Sequence, residues 1–208
     1  GSPNGQKLRE RVESRVRPAI SRARAEVEGF VGAIESFIPP GGGSVRLGPS
    51  GIGEPAERDD IRERLAGTSA SLGALEREIA ELCTRIELDE ELSAALEGRL
   101  LDLHSVQRRV AASTHALRLV FAPDEEANSY VRWLQTRGSG KRANVVMAAA
   151  PIDLGGLLLD ALFTKAETTI LTSATLSTRR GFDFLRARLG LDASHLDRVE
   201  NPPEVIEH

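Results

Sequence analysis

The sequence predicts a predominantly helical α+β chain, an elongated antiparallel helical arm followed by a small α/β portion. Three observations predict it. Apolar residues step at alternating intervals of four and three through most of the first 122 positions. Aromatics are only 4% of the 208 residues, so the core rests on Leu, Val, Ile and Ala, which favours helices. From Pro123 the texture changes to short apolar runs broken by Gly and Pro.

The first helix is expected from Lys7 to Ile38. Val16, Ile20, Ala23, Val27, Phe30, Ile34 and Phe37 form its apolar stripe. Pro18 marks a start or a kink, and Pro39-Pro40-Gly41-Gly42-Gly43 stops the helix. Residues 39–57 read as a long loop with a short strand at Ser44-Val45-Arg46-Leu47. The second helix is expected from Ala56 to Leu88, with Ile61, Leu65, Thr68, Leu72, Leu75, Ile79, Leu82 and Ile86 as a sustained heptad seam. Gly67 and Gly73 weaken it locally. Asp89-Glu90-Glu91 is an acidic start for a third helix, in which Leu96, Leu100, Leu103, Val110, Leu117 and Phe121 keep the period until Pro123. Helices of about 30 residues extend roughly 45 Å.

Beyond Pro123, residues 129–135 and 144–150 read as two strands of a hairpin joined by a turn over Arg137-Gly138-Ser139-Gly140-Lys141-Arg142. Leu154 to Phe163 reads as a short helix, and Thr168-Thr169-Ile170-Leu171-Thr172 as a buried-type strand ending in the polar turn Ser173-Ala174-Thr175. Phe182 to Leu189 is a helix closed by Gly190, and the tail from Asp192 is expected to fray.

Composition narrows the function classes. The chain is 40% apolar, enough for a core, and carries a net charge of −4, which excludes a globally basic nucleic-acid binder. The single Cys83 excludes a disulfide framework and a Cys-ligated iron–sulfur cluster in this segment, and points to a reducing compartment. No run is long and apolar enough to span a membrane, so no membrane partner is expected. The N-terminal Gly1-Ser2, without Met, reads as an expression remnant on a segment of a longer protein.

Charge is uneven. Residues 54–98 carry thirteen acidic and five basic side chains, whereas residues 99–142 carry eight basic and four acidic ones. The plain reading is two basic helices attracting an acidic one. The sharper reading places nucleic-acid phosphates against the basic groups, with Arg108, Arg109, Lys141 and Arg142 as candidates by charge. Gly138-Ser139-Gly140-Lys141-Arg142 is too short for a phosphate loop and lacks its hydroxyl. Asp124-Glu125-Glu126-Ala127 has no following His and reads as an acidic corner. His104, His115, His195 and His208 have no metal-ligand spacing, Cys83 reads as a packing residue, and no catalytic triad can be assembled. No metal site and no catalytic residue is therefore expected in this segment.

The most specific pattern is Ile170-Leu171-Thr172-Ser173-Ala174-Thr175-Leu176-Ser177, an apolar strand delivering small hydroxyl residues to a turn. It follows Tyr130-Val131-Arg132-Trp133-Leu134, then Ala149-Ala150-Pro151-Ile152-Asp153-Leu154, then Leu157 to Phe163, and precedes Phe182 to Leu189 with Gly190-Leu191. This ordered set resembles the DinG-like branch of the XPD family of superfamily 2 DNA helicases. The resemblance implies that Ser173, Ala174 and Thr175 belong to helicase motif III, which couples ATP hydrolysis to strand separation. It also implies that residues 1–122 are a helical Arch domain, that residues 123–177 are the C-terminal part of a RecA-like motor domain, and that residues 178–208 begin the second motor domain.

The implied function is that of a fragment of an ATP-dependent DNA helicase, translocating on single-stranded or forked DNA, with the Arch guiding the strand. ATP and Mg would serve the parent, in the cytoplasm at the nucleoid, and the fragment is expected as a monomer or with weak self-association through exposed surfaces. The segment holds no Walker A loop, no DEAH box and no motif V or VI, so by itself it should be inactive. The alternative is a coiled-coil protein-interaction module without nucleic-acid activity, with which the heptads alone are compatible.

Overall fold

The computed structural model describes residues 3–40, 42–121, 129–138, 144–173, 175–177 and 181–206. They fall into two compact units divided after Ala150.

The first unit opens with α1 (Pro3–Arg11), a π turn (Val12–Val16) and α2 (Arg17–Glu35) in direct succession. Pro18 explains the π turn. It has no N–H to offer the carbonyl four residues back, and the helix absorbs the defect by widening just before it. Arg17 N–H accordingly donates to the Val12 carbonyl, five residues back. The extra residue shifts the apolar face. Val16, Ala23, Phe30 and Ile34 are buried as expected, but Ile20 is 48% exposed and Ala19 packs towards the core instead.

The loop after α2 contains β1 (Ser44–Arg46) and a 3₁₀ turn at Pro55–Glu57, which delays the second long helix, α3, to Asp59–Glu87. The heptad expectation holds there: Ile61, Thr68, Leu72, Leu75, Ile79, Leu82 and Ile86 are all buried. Cys83 is buried beside them at 1% exposure, and burial followed by the nearby Glu87 charge pushes its thiol pKa up. Gly67 has a positive use as well as a propensity cost. A Cβ there would stand 2.9 Å from Glu26 Oε2, so its absence leaves room for that carboxylate, and Thr68 Oγ1 donates to the Glu26 carbonyl at 3.2 Å.

Two residues separate α3 from α4 (Glu90–Phe121), which turns back along it. Asp89 caps the new helix, its Oδ1 accepting the Leu92 N–H at 2.9 Å. The stripe of α4 is half-buried in its first part and fully buried only at Leu117, Val120 and Phe121. Phe121 meets Phe30 edge to face, with centroids 5.1 Å apart. Such a contact adds roughly 0.5–1.5 kcal/mol to the burial itself. A second cluster at the other end joins Val16, Leu82 and Ile86 to Leu8, Val12 and Leu92.

The sheet runs β1–β2–β3, with β2 at Tyr130–Arg137 and β3 at Asn144–Pro151. β1 pairs antiparallel with β2, Val45 opposite Leu134. β2 and β3 are neighbours, as the hairpin expectation required; its turn at residues 139–143 lies outside the described residues. The alternation of β2 is not sorted by hydrophobicity alone. Arg132 and Leu134 point inward, at 4% and 0% exposure, while Trp133 is only half-buried.

The second unit contains α5 (Gly155–Leu158), a π turn (Leu159–Phe163), α6 (Asp183–Leu189) and α7 (Ala193–Leu196). Its core is Leu159, Phe163 and Leu191, with Leu196, Val199 and Val205 packed on them. The tail after Asp192 is therefore partly packed rather than frayed, because its apolar residues have this core to cover. Gly190 closes α6 as expected, with φ +74°, and the Leu191 N–H returns to the Arg186 carbonyl at 2.8 Å.

One strand expectation fails. Residues 168–172 form no strand, Ile170 is 81% exposed and Leu171 44%. An extended apolar run becomes a strand only when a neighbour takes up its N–H and C=O groups. Among the described residues none does.

Candidate nucleic-acid interface

Inward-facing Leu103, Val110 and Leu117 set the rotation of α4 and leave Arg108 and Arg109 on its exposed side. Neither makes an ion pair or hydrogen bond through its side chain among the described residues. Much of the remaining positive charge is engaged. Arg11 donates to Glu78 and Glu81 of α3, each at 2.7 Å. His104 of α4 lies 2.9 Å from Glu87 at the far end of α3. Arg17 and Arg24 pair within their own helix with Glu13 and Glu28. The attraction of basic residues for acidic α3 is thus present at Arg11, and Arg108 and Arg109 stand outside it. Lys141 and Arg142 lie outside the described residues, as do Asp124-Glu125-Glu126-Ala127.

The hydroxyl turn belongs to the second unit. Thr175 N–H donates to Ser173 Oγ at 3.3 Å, and the two hydroxyls are 3.3 Å apart. Both residues are exposed; Ala174 between them lies outside the described residues. The local bonds hold a tight turn that presents two hydroxyls to solvent.

Sequence reading missed a histidine clamp in the same unit. His195 Nδ1 and Asp192 Oδ1 are 2.5 Å apart, and Nε2 is 3.7 Å from Asp153 Oδ2. The His195 bond, then the Ser194 hydroxyl, holds the Asp192 carboxyl below its ordinary pKa. Asp153 Oδ1 also accepts the Gly155 N–H at 2.9 Å, so a carboxylate already occupies the start of α5. The arrangement ties α7 to α5 and needs no metal. No group of three His, Cys, Asp or Glu among the described residues could hold an ion. No described helix is long and apolar enough to cross a membrane.

No protein-family model matches the chain. Curated proteins do. It is 32% identical over 201 residues to the protein named 3'-5' exonuclease DinG of Bacillus subtilis (strain 168), across 88% of this chain and 20% of that protein. It is 34% identical over 94 residues to the ATP-dependent helicase DinG of Mycobacterium tuberculosis, across 45% of this chain and 13% of that one. The same figures hold for the ATP-dependent helicase DinG of Mycobacterium bovis. The resemblance to DinG-like proteins is thereby supported over 88% of the chain. The chain is a DinG-like segment, corresponding to 20% of the length of its Bacillus relative.

Proposed function

We propose that the parent protein is an ATP-dependent DNA helicase that translocates on single-stranded DNA. In this reading the helical unit is an Arch-like guide for the strand. Ser173, Ala174 and Thr175 relay nucleotide state to strand separation. The observation that carries the reading is similarity to DinG proteins over 88% of the chain, together with the helicase names of the mycobacterial relatives. One structural fact supports it: Arg108 and Arg109 are exposed on α4, free to meet phosphates.

ATP and Mg belong to the parent. At the start of α5 the Gly155 N–H is already taken by Asp153 Oδ1. In this reading the segment, which carries no Walker A loop and no DEAH box, is inactive by itself. The parent would act on single-stranded or forked DNA, in the cytoplasm at the nucleoid.

The test is ATP hydrolysis and unwinding by the full-length parent, with and without single-stranded DNA, beside Thr175→Ala. The expected result is DNA-stimulated turnover, with the variant still hydrolysing ATP and losing unwinding. Absence of hydrolysis with any nucleic acid overturns the reading and favours the coiled-coil interaction module.

The name of the Bacillus relative favours a second reading, in which the parent removes nucleotides from 3′ ends. A 5′-labelled strand separates the two. An exonuclease shortens it, whereas a helicase releases it intact and only with ATP.

A further inference from the structure

A groove of about 660 Å³ opens between α3 and α4. Small residues line it, among them Ala70 and Gly73 of α3 and Ala111 of α4. Arg77, His115 and Arg118 stand around it, with Glu76 as the one acidic residue of the lining. The Arg77 guanidinium reaches over the floor: its Nη1 lies 3.5 Å from where a Cβ on Gly73 would stand.

These three basic side chains differ from most of the charged residues of the bundle. Arg11, Arg62 and Arg85 each reach a carboxylate within 2.8 Å. Arg77, His115 and Arg118 make no side-chain hydrogen bond or ion pair among the described residues, Glu76 included. The two guanidinium charges are not spent on holding α3 to α4. Arg108 continues the same side of α4 seven residues, about two turns, before His115.

We propose that the α3–α4 groove is a binding site for the phosphodiester backbone of a single nucleic-acid strand; this rests on the reading of the parent as a DNA-acting enzyme. The small floor lets a backbone approach closely. Arg77 and Arg118 present planar forks to phosphate oxygens. His115 adds a ring N–H donor. Among the described residues no Phe, Tyr or Trp lines the groove, so bases have no ring to stack on and recognition is independent of sequence.

The experiment is fluorescence anisotropy of the 208-residue chain with a fluorescein-labelled thymidine oligomer between low and moderate salt. Arg77→Ala/Arg118→Ala is expected to weaken binding roughly tenfold at low salt and to lower the salt slope by about 1.4, at about 0.7 per phosphate contact on a single strand. Arg22→Ala, exposed on α2, is expected to change affinity less than about twofold, as a cation remote from any phosphate contact should. Should the double variant lose helicity, Ala111→Glu places a carboxylate on the floor and is expected to weaken binding comparably. Wild-type affinity and slope in both groove variants overturn the proposal, as does a wild-type chain with no salt-sensitive binding. Binding lost in Arg108→Ala/Arg109→Ala but kept in the groove variants also overturns it, while leaving the helicase reading intact. That reading is judged separately by DNA-stimulated ATP hydrolysis of the parent.

Discussion

Arg132 and Glu54, 78 positions apart in the chain, form a buried ion pair. Arg132 is 4% exposed. Its Nη1 donates to Glu54 Oε2 at 3.0 Å and to the Val120 carbonyl at 2.9 Å, while Nη2 bonds the other carboxylate oxygen. One guanidinium thus ties the loop after β1, the last turn of α4 and the middle of β2. The Val120 carbonyl is among the last four of its helix and has no partner within it. Removing Glu54 would strand a charge away from water. Glu54→Ala is expected to destabilise the first unit by about 3–5 kcal/mol, read by chemical denaturation. Glu54→Gln keeps the acceptor oxygen and is expected to lose less.

Phe121 is fully buried against Phe30 at the point where the three helices meet the sheet. Phe121→Ala leaves a cavity beside Phe30 and is expected to cost about 3–5 kcal/mol. Phe121→Leu should cost distinctly less in the same urea titration. Equal losses would mean that the ring is not close-packed.

Asp89 provides a pH-dependent test. The Leu92 N–H first, and the Asn4 side chain second, hold its carboxyl below the ordinary aspartate pKa. A depressed carboxyl contributes stability above its unfolded pKa and loses it as pH falls through the folded value. The melting temperature of Asp89→Ala is therefore expected below wild type at neutral pH. The gap should close below about pH 4, where the unfolded carboxylate is already protonating. A gap unchanged down to pH 2 would show that the cap acts without its charge.

Gly190 and Gly155 pack closely together in the second unit. A Cβ on Gly190 would stand 2.1 Å from the Gly155 carbonyl oxygen, on a backbone with φ +74°. Gly190→Ala is expected to cost about 1–2 kcal/mol through the left-handed backbone alone, with the collision added. Hydrogen exchange should quicken within residues 151–208 and stay unchanged in the helices before Ala150.

Local patterning made most of the helical unit legible. Ile61, Leu72, Leu75, Ile79 and Ile86 could be placed on one face of α3 because helical periodicity is a property of neighbouring residues. Asp89 as a helix start, and Gly190 as a helix stop, are likewise short-range chemistry. Ile20 went to the surface because Pro18 inserted a π turn whose effect on rotation is not written in the spacing. The hydroxyls of Ser173 and Thr175 were readable as a turn, but the strand before them was not, since Ile170 has no hydrogen-bonding neighbour among the described residues.

What the sequence determined by itself is what depends on neighbours along the chain: three long helices, their caps and stops, the loop strand, and the ordered motif series that resembles a helicase family. Tertiary structure decided what depends on residues far apart. It turned Arg132 inward to Glu54, closed His195 between Asp192 and Asp153, and left Arg77, His115 and Arg118 around an open groove. A charged side chain is spent or free according to whether a counter-charge arrives within bonding distance. That distance is set by the packing of α2, α3 and α4, not by the spacing of the residues in the sequence.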